Sequence, residues 1–380
     1  MIPLVKNTIS FEEIKRLAEW LQTNPRLTRN TLCEDFEYQW SQWLGVKYSH
    51  FVNSGSSANL LIFEALKQSG RLRSNNVVVP AVSWVTSVTP VVQTGLNPLL
   101  CDADEETLGL NIDHLEKLLK ENDISVVLIV HVLGVPNKME EILELQMKYN
   151  FIIIEDSCEA VGSTYKGMKI GTFGLMSSFS YYYGHHLSTI EGGMVCSNDS
   201  ELYNLVKSIA SHGWARDLPE NYKRSLELKY DIDPFNSFYT FYHNGYNLRA
   251  TDLNAFLGLS QLESIDKKIA KRNVNYKRYL SNLKDFYCQK NEHAFISNFA
   301  YGILNENKKA IVQNLFENGI ECRPLICGSI GRQPFWTKTF GVTELPFADK
   351  VHFNGFYVPN NDELTPEEID FISETIIKSC

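Results

Sequence analysis

The sequence contains no Cys-x-x-Cys pair; its eight cysteines, at 33, 101, 158, 196, 288, 322, 327 and 380, are scattered along the chain. That argues against a disulfide frame, a zinc site or a cysteine-held iron–sulfur cluster, and for reduced thiols in a cytoplasm. Long hydrophobic runs are missing too. The longest, Val126-Val127-Leu128-Ile129-Val130, is strand-length and far short of a membrane span. The residues after Met1, IPLVKNTISFEE, lack the apolar core and small-residue cleavage site of a signal peptide. There is no basic run either: 36 Lys and Arg against 45 Asp and Glu leave a net charge of −9. Nucleic acid and anionic membrane surfaces are therefore poor partners. Repeats, low complexity and Pro-rich linkers are absent, which disfavours a modular scaffold. One local absence matters more than these: no lysine occurs between Lys169 and Lys207.

What is present is ordinary globular material, 380 residues of which 44% are hydrophobic and 21% charged, enough for a large core. Helical spacing marks Phe11 to Leu21 and Glu34 to Leu44, the latter stopped by Gly45. From Phe51 short apolar runs alternate with amphipathic stretches. Val77-Val78-Val79, Pro98 to Cys101, Val126 to His131 and Phe151 to Ile154 read as strands. Trp84 to Gly95, Ile112 to Leu119, Met139 to Tyr149 and Glu201 to Ser211 read as helices. Fully apolar strands alternating with helices predict a mostly parallel sheet covered on both faces, with ligands beyond the carboxyl ends of the strands, where Asp156 and His131 fall. Asp252 to Arg272 reads as one long helix leading to a second unit. There Ala300 to Leu304 is strand-like, while Lys308 to Asn318 and Pro366 to Lys378 are helical. The expected organisation is an α/β chain with a large domain over 1–275 and a small α+β domain over 276–380.

Several stretches carry polar residues where a site would need them. Asn53-Ser54-Gly55-Ser56-Ser57-Ala58-Asn59 precedes the amphipathic run Leu60 to Leu66. A Gly/Ser turn opening a helix offers backbone N–H groups and hydroxyls to an anion, although an ordinary serine N-cap fits the spacing equally well. Trp84, just past a strand end, belongs either in the core or flat against a planar ligand. Asp156 follows four apolar residues and Glu155; a carboxylate there needs a partner, an arginine or a ligand cation. The stretch Ser177 to Gly193 reads SSFSYYYGHHLSTIEGG: a β-rich run, Phe179 to Tyr183, stops at Gly184, meets two histidines and closes on Glu191-Gly192-Gly193. Paired histidines alone are usually solvated or satisfied in a core.

Together these stretches resemble the fold type I sugar aminotransferases, which use pyridoxal 5′-phosphate (PLP). The likeness runs along nearly the whole chain: S-G-S-S-A-N-L-L, V-P-A-V-S-W, I-I-E-D-S-C-E-A, G-T-F-G-L-M, E-G-G, H-G-W-x-R, G-Y-N-x-R and I-E-C-R-P. It implies that Gly55 and Ser56 hold the cofactor phosphate, with Ser180 as a further phosphate-binding hydroxyl. It also implies that Trp84 stacks on the pyridine ring, Asp156 pairs with the protonated ring nitrogen and Glu159 faces the site. Asn247 would reach the phosphate of the neighbouring subunit, making the active unit a homodimer with shared sites. In that family a segment of the form S-F, a few residues, H-P-x-K-x-x-x-x-x-E-G-G carries the PLP-binding lysine. Counting back from Glu191 puts His185 at that position. An imidazole cannot form a Schiff base with an aldehyde, but it can move a proton near neutral pH.

A histidine there resembles one branch of the family, the 3-dehydratases of nucleotide-linked 4-keto-6-deoxy sugars. The scattered cysteines match the subtype without an iron–sulfur cluster, for which the implied substrate is a GDP-linked 4-keto-6-deoxymannose and the implied role deoxysugar biosynthesis for surface polysaccharide. The resemblance further implies a working cofactor in the amine form, pyridoxamine 5′-phosphate (PMP), that condenses with the C4 ketone. His185 would then take a proton from the cofactor methylene, the C3 hydroxyl would leave, and hydrolysis would yield the 3-deoxy-4-keto sugar and ammonia. L-Glutamate would restore PMP. Arg216 and Arg323 read either as anion contacts to the nucleotide sugar or as structural ion pairs, His212 as a substrate-orienting group and His186 as structural. Asn30 stands where the family usually has a loop glycine near the sugar. An aminotransferase using another lysine, and a binding homologue without turnover, are the alternatives.

Overall fold

The computed structural model describes residues 1–6 and 8–379, so Cys380 lies outside the described residues. Two helices open the chain, α1 (Phe11–Gln22) and α2 (Thr31–Leu44). Ser10 and Glu13 cap α1 reciprocally, and α2 ends at Gly45 in the left-handed region, φ 93°. Strands and helices then alternate: β1 (Tyr48–Val52), α3 (Gly55–Ser69), β2 (Asn76–Pro80), α4 (Val85–Gln93), β3 (Asn97–Cys101), α5 (Ile112–Glu121), β4 (Ile124–Val130), α6 (Met139–Tyr149) and β5 (Ile152–Asp156). A short hairpin, β6 (Thr164–Tyr165) and β7 (Met168–Lys169), precedes β8 (Met176–Ser180), β9 (Gly193–Ser197), α7 (Ser200–Ala210) and α8 (Glu220–Tyr230).

The large sheet has seven strands in the order β1-β9-β8-β5-β4-β2-β3. The run from β8 to β3 is parallel, and β9 lies antiparallel between β1 and β8. All seven residues of β4 are buried, which explains its unbroken apolar run: both faces are covered by helices.

The single helix expected from Asp252 to Arg272 is two, α9 (Asp252–Leu262) and α10 (Ile265–Asn282). Ser264 takes φ −115° and ψ 3°, and its amide turns back to the Gln261 carbonyl at 3.1 Å. Gln261 in turn binds both backbone groups of Ser188, at 3.0 and 2.6 Å. The break lets α9 pack on α2 while α10 joins a second core. After it come β10 (Ala294–Phe295), β11 (Ala300–Leu304), α11 (Lys308–Glu317), β12 (Arg323–Pro324), α12 (Pro334–Phe340), α13 (Pro346–Asn354), β13 (Gly355–Pro359) and α14 (Pro366–Ile377). β11, β13 and β12 form a separate antiparallel sheet. Tyr276, Tyr279, Ile303, Phe356 and Ile372 make its core, and Ile2 from the start of the chain packs against it. Among the described residues no helix is long and apolar enough to cross a membrane.

Candidate active site

Because β1 and β8 both run antiparallel to β9, β1 ends on the same edge as β8 and β5, the carboxyl edge where open α/β sheets take their ligands. The chain leaves β1 into the Ser54–Gly55 turn. Ser54 caps α3, its hydroxyl accepting the Ser57 amide at 3.0 Å, so the first-turn N–H groups of Gly55 and Ser56 open toward that edge. Gly55 has to be glycine: a Cβ there would stand 2.6 Å from Ser180 Cβ, at the end of β8. Gly193, which opens β9, crosses the same turn, and its Cβ would lie 2.3 Å from the Ser54 carbonyl carbon. The two ends of the sequence pattern, S-G-S and E-G-G, are thus one close backbone crossing. Ser56 is exposed and shares a 2.8 Å hydroxyl–hydroxyl hydrogen bond with Thr86.

Asp156 ends β5 and is 5% exposed. Its Oδ2 accepts from Asn59 Nδ2 (2.8 Å) and Ser87 Oγ (2.7 Å), and its Oδ1 from the Cys158 amide (3.1 Å). Asn59 is held in turn by Ser178 Oγ at 2.6 Å. Every donor to Asp156 is neutral, and among the described residues no Lys or Arg pairs with it. A buried carboxylate left in that state is costly and calls for an external cation. Trp84, the residue before α4, is 54% exposed and leaves a flat face open beside Ser87 and Thr86. A phosphate-sized turn, an uncompensated carboxylate and an open indole are the donor set that a pyridoxal phosphate ring requires, and the residues present fit it.

β8 ends at Ser180 and not at Tyr183, because the chain turns with the His185 amide donating to the Tyr182 carbonyl at 2.9 Å. His185 is half-buried against Phe299, ring centroids 5.2 Å apart. Its Nδ1 is buried with no hydrogen-bond partner among the described residues. Burial lowers the imidazole pKa to about 4; the Asp156 carboxylate opposes this and the Arg272 guanidinium adds to it. Arg272 is 1% exposed and fixed by the carbonyls of Asn360 (2.7 Å) and Phe299 (3.1 Å). Its neighbour His186 is fully buried with Nε2 2.9 Å from the Ser297 carbonyl, a structural role.

Glu159 is half-buried, and its Oε2 accepts the Leu133 amide at 2.6 Å. Burial, with Asp156 adding, raises its pKa to about 8, so it carries a proton at neutral pH. Glu155, by contrast, is inward and structural: its two oxygens collect the amides of Gly171, Phe173 and Gly174 at 2.6–2.8 Å, which accounts for the G-T-F-G stretch. His131, placed at the ligand edge by its position after β4, is fully buried instead. Its Nε2 meets Glu155 at 3.3 Å and its Nδ1 accepts the Asn137 amide, so it does not open to the site.

The remaining predicted residues lie in two other places. Asn247 is exposed, accepts from Arg249 Nε (3.1 Å), and lines a separate cleft with Arg216. Arg216 meets Asp217 at 3.4 Å and sits 4.9 Å over the Trp214 ring; His212, at φ 63°, packs its ring on the same indole. Arg323 pairs with Glu321 and lies in register with Tyr357. The Tyr357 phenol is raised to about 12 by burial, with Glu159 adding and Arg323 opposing. Sequence reasoning did not assign Asn59, Ser87, Phe299 or Tyr357. Asn59 lies inside a quoted motif; the other three carry no local signal. Among the described residues no group of three or more His, Cys, Asp and Glu side chains is placed to hold a metal ion.

Over residues 7–377 the chain matches the DegT/DnrJ/EryC1/StrS aminotransferase family. It is 32% identical over 387 residues to GDP-4-keto-6-deoxy-D-mannose 3-dehydratase of Escherichia coli O55:H7 (strain CB9615 / EPEC), covering 98% of this chain and 99% of that one. Among solved structures, a mutant of GDP-4-keto-6-deoxymannose-3-dehydratase (ColD) with bound GDP-perosamine is 31% identical. It superposes with a TM-score of 0.91, covering 99% of this chain and 100% of that one. A GDP-4-keto-6-deoxymannose-3-dehydratase with a trapped PLP-glutamate geminal diamine is also 31% identical, with a TM-score of 0.89 over 99% and 100% of the two chains.

Proposed function

The chain belongs to the DegT/DnrJ/EryC1/StrS aminotransferase family, and within it we propose that it is a PLP/PMP-dependent 3-dehydratase of GDP-4-keto-6-deoxy-D-mannose, a lyase of deoxysugar biosynthesis for surface polysaccharide. One observation carries the choice of dehydration over transamination: no lysine lies between 169 and 207, and the count back from Glu191 assigns the family's lysine position to His185, whose buried Nδ1 has no partner among the described residues.

When bound, the cofactor supplies an amine for the sugar's C4 ketone and an electron-withdrawing ring. The residues of this chain supply the rest. Gly55, Ser56 and Ser180 hold the phosphate, Trp84 covers one face of the ring, and Asp156, fixed by three neutral donors, pairs with the ring nitrogen. Glu159, protonated at neutral pH, presents a hydroxyl donor to the ring edge. His185 is neutral at pH 7, so its imidazole can take a proton beside the ring and return one to the departing C3 hydroxyl. Phe299 keeps water from one face of that imidazole. No ε-amino group is present to recapture the product as an amine. Arg216, Arg323 and His212 serve the nucleotide sugar. The exposure of Asn247 supports a homodimer in which it completes the neighbour's phosphate site, and the protein works in the cytoplasm.

The test is product mass spectrometry. With PLP, L-glutamate and GDP-4-keto-6-deoxymannose, the expected product is the 3-deoxy-4-keto sugar, with ammonia and 2-oxoglutarate formed alongside. Accumulation of a 4-amino sugar would instead make the protein an aminotransferase.

A further inference from the structure

One cation is buried where neutral donors would hold the fold at less cost. Arg272 in α10 is 1% exposed. Its one carboxylate partner among the described residues, Asp362, stands 3.8 Å away, and its Nε has no hydrogen-bond partner there. Burial lowers its pKa to about 10 and Asp362 opposes this, so Arg272 remains charged at neutral pH. A buried charge that is only partly compensated costs stability, and such groups collect at functional sites.

What Arg272 holds is the short connector between β10 and β11. Its Nη1 donates to the carbonyls of Asn298 (3.4 Å) and Phe299 (3.1 Å), and to that of Asn360 (2.7 Å) just beyond β13. The Asn360 side chain returns to the carbonyls of Asn298 (3.3 Å) and Arg272 (3.2 Å). From the large domain, His186 Nε2 meets the Ser297 carbonyl at 2.9 Å, and the Leu133 carbonyl accepts the Phe299 amide at 2.9 Å. Leu133 lies in the left-handed region, φ 52°, and its own amide goes to Glu159. Phe299 is therefore fixed from both domains, and its ring is the surface on which His185 packs, centroids 5.2 Å apart. A Cβ on Gly184, the residue before His185, would stand 3.7 Å from the same ring.

We propose that Arg272 is a positioning residue for His185 and acts through Phe299: it locks the 297–299 backbone so that the phenyl ring sets the imidazole's orientation, and it keeps a fixed positive charge near that imidazole. The inference rests on the reading of His185 as the group that moves a proton. With no partner for Nδ1 among the described residues, the ring's orientation falls to packing. The charged and titratable groups that face His185 are Asp156 from β5, Arg272 from α10 and the adjoining His186. Asp156 favours the imidazolium and Arg272 disfavours it. With Arg272 in place, a proton taken up by the ring is readily given up again, which suits a group that must pass it to a leaving hydroxyl.

The experiment is an NMR titration of the histidine ring signals of the PLP-loaded full chain, which needs no turnover and so stands apart from the product assay. The His185→Asn variant identifies the His185 signal. In the parent that signal should stay in its neutral position down to about pH 5, because burial holds the value at about 4. Arg272→Gln should raise the midpoint by about one pH unit or more, whereas Arg272→Lys, which keeps the charge, should leave it in place. Both should slow the L-glutamate-driven conversion of PLP to PMP about tenfold, with half-saturation by L-glutamate held. Phe299→Leu should slow it by a similar factor. Arg272→Gln combined with Phe299→Leu should be no slower than the worse single change, because both act on one ring. A merely structural Arg272 would lower the melting temperature and leave the His185 midpoint where it was. That result would overturn the proposal, as would losses that multiply in the double variant. Should Arg272→Gln not fold, an unchanged rate in Phe299→Leu overturns it alone.

Discussion

His185→Asn is expected to bind PLP nearly as tightly as the parent and to lose dehydration by roughly 10²- to 10⁴-fold, the range a positioned acid–base group contributes. In the proposed arrangement phosphate, ring face and ring nitrogen are held by other residues, so the cofactor has no reason to leave. The loss should appear in kcat and kcat/KM alike, since the imidazole acts on the reacting atoms and not on substrate binding. The pH dependence follows from the low pKa. With burial holding it at about 4, the neutral base is present above that value and is lost as the pH falls through it. The acid limb of kcat/KM therefore lies below the usual histidine value near 6.5. Stability carries the same sign: the unfolded chain protonates His185 below about 6.5 while the folded chain resists until about 4. Its contribution is complete above that window and is lost as the pH drops across it. Melting temperatures of parent and variant, compared between pH 7 and 4, should converge toward the acid end. Unchanged dehydration by His185→Asn would remove the imidazole from the chemistry.

Asp156→Ala should be the most damaging change to cofactor binding. In the parent the carboxylate is buried, held by Asn59, Ser87 and the Cys158 amide, and matched by no protein cation. On the proposed pairing, removing it would leave the ring nitrogen without its counter-charge in a buried setting, and breaking a buried pair costs about 3–5 kcal/mol, or roughly 10²- to 10⁴-fold in PLP affinity. Equilibrium dialysis measures this directly, and melting gives a second readout. PLP should raise the parent's melting temperature, and in the variant that rise should largely vanish. The cofactor-free variant should melt close to the cofactor-free parent, because an uncompensated buried charge is being removed. A variant that retained PLP at parental affinity would place the ring nitrogen elsewhere.

Much of this arrangement was legible before the structure, and for physical reasons. Met139–Tyr149 and Ala300–Leu304 carry their periodicity within a single element, and both emerge with the expected bounds. Apolar strands alternating with helices dictated the parallel sheet, and the sheet dictated the edge where Asp156 and Ser180 stand. The break between α9 and α10 was hidden because neither Gly nor Pro marks it; it is tied instead to a distant stretch of backbone, Ser188, held by the Gln261 side chain. Asn59 and Ser87 escaped because their contacts with Asp156 span 97 and 69 residues, a distance that no local pattern reports. Phe299 and Tyr357 come from the far end of the chain, and only the return of β11 and β13 brings them near His185 and Glu159. His131 misled for the opposite reason. Its position along β4 was right, but the buried Glu155 claims its ring.

The account turns on how the cofactor is held, by the pocket alone or by a covalent bond to the chain. Borohydride reduction of the PLP-loaded protein, followed by intact-mass and peptide mass spectrometry, answers this in one step. The chain mass should be unchanged and all pyridoxyl should wash out on denaturation. A pyridoxyl group fixed to any lysine would contradict the assignment of His185 and return the protein to the aminotransferases.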